Sequence, residues 1–308
     1  MAKRGIAIAP WIDDSLVAAI EEAGARVVEP GEADGLVWLN PMDPQGLIEL
    51  LESSPAEWVQ LPFAGIESFF AAGAIDPKRT WTCAKGAYGH ACAEHALALM
   101  LAAARQIHHH ARNRAWEDGG LGRPEMRLKD KTIVVLGTGG IGSELVPMVK
   151  PLGARVIGVN RSGRSLEGAE KTVRTDRFAE VVGDADFVVL AAAVTDETKG
   201  IVDAALLEKM KPTAWIVNVA RGILIDTNAL VTALTGKSIG GAALDVTEPE
   251  PLPEDHPLWA LDNTIITPHV ANTWDMAVPD LRDLVRRNVA KFVRDEELEG
   301  LVDVKAGY

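Results

Sequence analysis

Cysteine is nearly absent from this chain. Cys83 and Cys92 are the only two in 308 residues, which excludes a disulfide framework and a cysteine-ligated metal. Each reads as a small buried hydrophobe. An excess of basic residues is also absent. Lys and Arg number 31 against 44 Asp and Glu, a net charge of −13, so no nucleic-acid partner is expected. Long apolar runs are missing too. The longest, over 96–104 and 187–194, are too short to span a bilayer. The N-terminus passes from Lys3 and Arg4 straight into an apolar strand, without the apolar region of a signal peptide. These absences lead to the expectation of a cytoplasmic protein with no membrane partner. Tandem repeats and low-complexity tracts are absent as well.

Apolar residues make up 47% and charged residues 24%, as expected of a globular protein long enough for two domains. Short apolar segments alternate with helical patterns nearly throughout, which argues for parallel α/β layers. Strands are expected over 5–9, 26–29, 35–39, 58–61, 80–83, 132–136, 154–159, 187–190, 215–218, 241–244 and 264–267. Helices are expected over 13–22, 44–51, 66–72, 204–210, 227–234 and 276–293, with one long Ala/Leu-rich helix over 91–112. Residues 112–130 are polar and glycine-containing, and read as an extended arm. The final helix has no later strand to pair with, so a return to the first domain is expected. Pro147 and Pro151 fall in the helix after Gly142. A mid-helix proline costs on the order of 3 kcal/mol, so a kink or a shortened helix is expected.

The sharpest signal is Gly137-Thr-Gly-Gly-Ile-Gly142, between the apolar run 132–136 and a helical stretch that leads to a second apolar run. In that context the glycine pattern marks a dinucleotide site. Gly137 permits the tight turn, Gly139 lets the backbone approach a pyrophosphate, and Gly142 lets helix and strand pack closely. Gly140 and Ile141 belong to the same cofactor-binding motif, and the helix that follows turns its free N–H groups and positive dipole end to the phosphates. The second strand of an NAD site usually ends in Asp or Glu. Here it ends in Asn160-Arg-Ser-Gly-Arg164. No carboxylate repels a 2′-phosphate, and Arg161, Arg164 and Ser162 can bind one beside Asn160. NADP(H) is therefore the preferred cofactor, with NAD(H) possible.

Three residues beyond later strands suit a nicotinamide enzyme: Arg221, Glu250 and His269. The ends of strands are where open α/β sheets bind ligands. Taken singly, each reads equally as a turn, a solvated loop or a polar surface residue. Consecutive His108, His109 and His110 point about 100° apart on a helix and cannot share one ion, so no metal is expected. Glu94 and His95 read as packing or capping the domain junction. Trp259 and Trp274 read either as lining the mouth of the site or as core.

The chain resembles the D-isomer-specific 2-hydroxyacid dehydrogenases, especially their glyoxylate/hydroxypyruvate reductase-type members. The resemblance rests on Ala93-Glu-His-Ala-Leu-Ala-Leu-Met100, Gly137–Gly142, Lys209-Met-Lys-Pro212, Val217-Asn-Val-Ala-Arg-Gly222, Ala243-Leu-Asp-Val246 through Glu250-Pro251, and Thr267-Pro-His269. It implies two doubly wound parallel-sheet α/β domains, Rossmann-like and flavodoxin-like. A substrate domain (1–98 plus 275–308) is split by an inserted dinucleotide-binding domain (99–274). It also implies Arg221, Glu250 and His269 as the catalytic set, and cofactor contacts at Ala193, Val219 and Asp245, the last to the nicotinamide carboxamide. Ala64 and Gly65 match the loop whose amides hold the substrate carboxylate, together with Arg221. A homodimer through the nucleotide domain and the arm is implied as well. The chain departs from the family at Ala193, where a proline is usual, and at Pro147 and Pro151.

The function these observations support is NADPH-preferring reduction of small 2-keto acids, such as glyoxylate or hydroxypyruvate, to D-2-hydroxy acids. Arg221 would bind the carboxylate and polarise the keto oxygen. His269 would donate the proton, and Glu250 would favour the protonated ring by its opposite charge. The alternatives are a non-catalytic NAD(P)-sensing or corepressor-type protein on the same fold, and a formate- or phosphite-type dehydrogenase.

Overall fold

The computed structural model describes residues 3–113, 116 and 125–305. Part of the expected arm, residues 114, 115 and 117–124, lies outside them. The chain divides into two compact units, Met1–Tyr88 with Thr273–Tyr308, and Gly89–Asn272.

The first unit begins with β1 (Gly5–Ala9), α1 (Asp14–Glu22), β2 (Arg26–Val27), β3 (Gly35–Trp38), α2 (Pro44–Ser53), β4 (Trp58–Gln60), α3 (Glu67–Ala71) and β5 (Thr80–Thr82). Its strands form one parallel sheet in the order β2-β1-β3-β4-β5, the flavodoxin-like order. Side chains alternate across a strand. Ala7, Leu36, Trp38 and Val59 therefore enter one core, while Ile6, Ile8, Val37 and Trp58 enter the other. Two helix starts are fixed by carboxylate caps. Asp13 accepts from the amides of Ser15 and Leu16, and Asp43 from that of Gly46.

The second unit holds α4 (Gly89–Ala104), α5 (Ile107–Arg112), β6 (Thr132–Leu136), α6 (Gly140–Val149), β7 (Arg155–Asn160), β8 (Lys171–Arg174), β9 (Phe187–Leu190), α7 (Ala204–Leu207), β10 (Trp215–Asn218), α8 (Thr227–Thr235), β11 (Gly241–Leu244) and β12 (Thr264–Ile266). Its seven parallel strands run β12-β11-β10-β9-β6-β7-β8. This is the dinucleotide-binding order, with β12 added beyond β11. Both faces of the sheet are buried. Val134, Leu136, Val188, Leu190 and Ile216 pack on one side, and Ile133, Val135, Phe187, Val189 and Val217 on the other. The winding reverses between β6 and β9, which opens a crevice at their carboxyl ends.

The last helix, α9 (Trp274–Val293), belongs to the first unit and buries Leu281, Leu284, Val285 and Val289 in the same core as Leu16 and Ile20 of α1. Its buried Asn288 donates to Gln60 Oε1 (2.9 Å) and to the Glu299 carbonyl (3.0 Å), and accepts from the Glu299 amide (2.7 Å). A buried amide with partners on both ends ties helix to sheet at little desolvation cost.

Three sequence expectations change. The long helix over 91–112 is two helices, because Gln106 takes a left-handed conformation (φ 52°) that a right-handed helix cannot continue through. Helix α4 lies whole within the second unit, and the expected 98/99 boundary falls inside it. Strand β8 is an addition: it is a short, mostly polar edge strand without the apolar run that marks the others. The helix bearing Pro147 is short, as expected: it ends at Val149, and Pro151 sits in the single 3₁₀ turn that follows.

Candidate active site

The glycine motif follows β6 and leads into α6. Gly137 has φ +98°, and a Cβ there would lie 2.4 Å from the Ala191 carbonyl carbon. A Cβ on Gly142 would lie 2.2 Å from the Gly137 oxygen. Both positions thus require glycine for the turn and its packing. Gly139 differs, because a Cβ there would meet nothing within 4 Å. Space therefore lies open before the start of α6, whose first-turn amides have no partner inside the helix. An unobstructed backbone at a helix N-terminus beside the switch point fits a dinucleotide pyrophosphate.

The loop after β7 is tied to this motif. Asn160 donates to Thr138 Oγ1 (2.7 Å) and to the Arg164 carbonyl (2.8 Å), and accepts from the Gly163 amide (2.6 Å). Asn160 therefore braces its own loop rather than offering its amide outward. Arg161, Ser162 and Arg164 stand exposed on that braced turn. After β9, the Thr198 hydroxyl bonds the Ala193 carbonyl (2.8 Å) and the Thr195 amide (2.8 Å). This hydroxyl clamp fixes the loop that carries Ala193.

Arg221, Asp245 and Thr267 follow three neighbouring strands, β10, β11 and β12. The Arg221 backbone is set by Asn218, whose amide donates to the Arg221 carbonyl (2.9 Å) and whose oxygen accepts from the Ala220 amide (3.0 Å). The next residue, Gly222, packs so closely that a Cβ would lie 2.0 Å from the Thr247 carbonyl carbon. The Arg221-Gly222 pair is thus a constrained turn.

His269 and Glu250 meet directly, with Nδ1 of the ring 2.6 Å from Glu250 Oε1. Both are partly exposed. Glu250 lies on a loop fastened by Thr247 Oγ1 to the Pro249 carbonyl (2.8 Å) and by Thr227 Oγ1 to the Glu248 carbonyl (2.7 Å). His269 has a left-handed backbone (φ 53°), which costs a non-glycine residue about 1–3 kcal/mol unless its surroundings enforce it. Asp245 enforces it. The His269 amide donates to the Asp245 carbonyl (2.8 Å), and the Val270 and Ala271 amides donate to its carboxylate (2.9 and 3.0 Å). Thr267 Oγ1 adds a 2.6 Å bond.

Burial would raise the Asp245 carboxyl. Hydrogen bonds from His95, Thr267 and the amides of Val270 and Ala271 outweigh that and hold it down at about 2. Burial and the charge of Asp245 push the Cys92 thiol up to about 11, with the Arg221 guanidinium opposing. A thiol held that high is not a nucleophile near neutral pH.

His95, read from sequence as a junction residue, instead bonds Thr267 Oγ1 (3.0 Å) and lies 3.3 Å from Asp245 Oδ1. Neither His95 nor Thr267 carries a periodic or spacing signal for this role; only the position of α4 against β10 and β11 reveals it. The three consecutive histidines diverge. His108 contacts the Asp262 carbonyl (3.1 Å) and packs edge-on against Trp215, whereas His110 pairs with Glu125 (3.4 Å). In the first unit, Ala64 and Gly65 follow β4 on a loop anchored by the Tyr88 hydroxyl, which donates to the Pro62 carbonyl. Trp274 meets Trp11 and Phe63 edge-on. Trp259, half exposed, donates to the Pro253 carbonyl (2.9 Å).

A dinucleotide fold with an arginine and a glutamate–histidine pair at neighbouring strand ends suits a nicotinamide-dependent oxidoreductase, and comparison with known proteins specifies it further. Residues 97–271 match the family described as D-isomer specific 2-hydroxyacid dehydrogenase, NAD binding domain. The chain is 42% identical over 305 residues to an "uncharacterized protein in proB 3'region" of Corynebacterium melassecola, covering 97% of this chain and 98% of that one. It is 36% identical over 215 residues to a glyoxylate reductase of Pyrococcus furiosus, covering 67% of this chain and 64% of the relative. Among solved structures, the NADPH-dependent glyoxylate/hydroxypyruvate reductase of Sinorhizobium meliloti, in complex with NADP and sulfate, superimposes with a TM-score of 0.81 at 25% identity. That match covers 99% of this chain and 100% of the other. The chain belongs to the D-isomer specific 2-hydroxyacid dehydrogenase family, and is an NAD(P)-dependent oxidoreductase.

Proposed function

We propose that the protein reduces small 2-keto acids to D-2-hydroxy acids and prefers NADPH to NADH, with glyoxylate and hydroxypyruvate as reference substrates. The observation that carries this reading is the 2.6 Å contact between His269 Nδ1 and Glu250. With Nδ1 bound to the carboxylate, Nε2 is the nitrogen left to face a substrate. From there the ring gives its proton to the keto oxygen. Glu250 orients the imidazole through that contact. The Arg221 guanidinium binds the carboxylate and stabilises charge growing on the keto oxygen. Bound reduced nicotinamide supplies the hydride. In this reading the first unit is the substrate domain, with Ala64 and Gly65 offering backbone amides, and the second is the dinucleotide domain. Gly137, Gly139, Gly140, Ile141 and Gly142 face the pyrophosphate, and Ala193, Val219 and Asp245 line the nicotinamide end.

Support for NADPH comes from the β7 loop, whose residues 160–164 include no Asp or Glu and whose Arg161, Ser162 and Arg164 are exposed on the turn that Asn160 braces. The Sinorhizobium relative binds NADP. Exposed Leu101 and Ile107 on α4 and α5, with exposed Trp116, give the second unit apolar surface for a homodimer contact. A cytoplasmic location belongs to the same reading. No helix among the described residues is long and apolar enough to cross a membrane.

The test is steady-state reduction of 2-keto acids with each cofactor. NADPH is expected to exceed NADH by at least about tenfold in kcat/KM, roughly 1.4 kcal/mol. Arg161→Ala removes most of that preference and leaves NADH kinetics near the parent values. Equal use of both cofactors by the parent contradicts the preference.

A further inference from the structure

We propose that His95 is a positioning residue for the reaction, acting through Thr267 and Asp245 on the backbone that carries His269. The claim rests on the assignment of His269 as the proton donor. His95 stands on α4, far in sequence from the strand ends it reaches. The Thr267 hydroxyl has one proton, and its 2.6 Å contact with Asp245 Oδ1 places that proton on the carboxylate. Its oxygen therefore accepts from His95 Nε2 at 3.0 Å, so Nε2 bears a hydrogen. The same nitrogen lies 3.3 Å from Asp245 Oδ1. His95 thus fixes which way the threonine rotor points and adds a second hold on the carboxylate.

What hangs on that carboxylate is the His269 turn. Asp245 receives the amides of His269, Val270 and Ala271, the first through its carbonyl and the others through its side chain. The left-handed backbone of His269 depends on this arrangement, and the direction of its ring toward Glu250 depends on the backbone. Asp245 Oδ1 takes Thr267, Val270 and His95, while Oδ2 takes, among the described residues, Ala271. Without the hydrogen bond from His95, Thr267 Oγ1 and Asp245 Oδ1 each lose one of the contacts that hold them. The carboxylate then has a second arrangement, and the His269 ring loses its single orientation. A loss of orientation lowers turnover more than it lowers affinity for the keto acid.

Two variants at position 95 separate positioning from packing. His95→Phe keeps the bulk and loses the donor, and His95→Gln keeps an N–H donor. The Phe variant is expected to lose about tenfold or more in kcat with KM for the keto acid changed less than about threefold, and the Gln variant to recover most of that loss. Thr267→Val removes the hydroxyl link by itself. It should reproduce the defect, and combined with His95→Phe it should add little. A readout free of turnover is the ring N–H proton resonance of the His269–Glu250 contact, assigned by its loss in His269→Ala. It should shift or broaden in His95→Phe and hold its place in His95→Gln.

A parental kcat and an unmoved resonance in His95→Phe overturn the proposal. So does a loss that Gln does not rescue and that follows a fall in Tm. If the parent reduces no 2-keto acid while the resonance responds as described, the assigned reaction fails and the positioning chain stands. If the parent is active and the resonance is unmoved, the reverse holds.

Discussion

At the residue scale the site divides into side chains that sequence exposes and side chains that only folding brings together. Arg221, Glu250 and His269 could be picked out because each lies just past an apolar strand, where parallel sheets place ligands. The role of Glu250 follows from the resemblance, and the 2.6 Å contact with His269 gives it a geometry. Asn160 shows the opposite limit. Sequence places it among the cofactor-loop residues, and its side chain is used in bracing that loop. Arg221→Lys exchanges a planar fork for a point charge. It is expected to raise KM for the keto acid and to lower kcat, with NADPH Kd unchanged by direct titration. A defect confined to cofactor binding would assign Arg221 elsewhere.

Asp245 makes a prediction about stability. Its folded carboxyl is depressed to about 2 from an ordinary value of 3.8. A depressed acid contributes stability that is present above its unfolded value and is lost as pH falls through the folded one. Urea unfolding of the parent and of Asp245→Asn should therefore show a gap above about pH 4 that narrows toward pH 2. A gap independent of pH would mean that the carboxylate's charge plays no part in holding the turn.

At the element scale, strand identity was legible because buried parallel strands are nearly continuous apolar runs, as in Thr132–Leu136 and Phe187–Leu190. Strand β8 was not, since an edge strand needs no such run. The break at Gln106 was hidden because Ala, Leu and His on either side are all compatible with a helix. The turn from β6 into α6 makes the claim for dinucleotide binding testable apart from folding. Since a Cβ on Gly139 meets nothing within 4 Å, Gly139→Ala should leave Tm within about a degree of the parent while weakening NADPH binding at least about tenfold, roughly 1.4 kcal/mol. Gly142→Ala, with its Cβ 2.2 Å from the Gly137 oxygen, serves as the contrast and should lower Tm. Unweakened binding in Gly139→Ala would remove the pyrophosphate from this turn.

At the scale of the whole molecule, two parallel sheets of five and seven strands follow from the alternation of apolar runs and helices, and α9 rejoins the first unit because its apolar stripe completes that unit's core. The domain limits were less legible. The 98/99 boundary was placed in the middle of an Ala/Leu-rich stretch whose helical pattern has no internal break, and α4 starts ten residues earlier, at Gly89. Along the carboxyl edge of the larger sheet, β12, β11 and β10 present the residues proposed for acid–base chemistry and carboxylate binding, while β9, β6 and β7 present the loops proposed for the cofactor. In the proposed reading that order puts the chemistry at one end and the residues proposed for the 2′-phosphate at the other.

The central claim is that His269, held by Glu250, protonates a keto oxygen while the reduced nicotinamide delivers hydride. The measurement that tests it most directly is kcat for glyoxylate and hydroxypyruvate reduction by the parent and by His269→Ala, with NADPH Kd measured alongside by titration. The account predicts a parent active on at least one of the two, a fall of about 10²–10⁴ in the variant, and an unchanged Kd. A His269→Ala protein that turns over at the parental rate, or a parent that reduces no 2-keto acid with either cofactor, would contradict it.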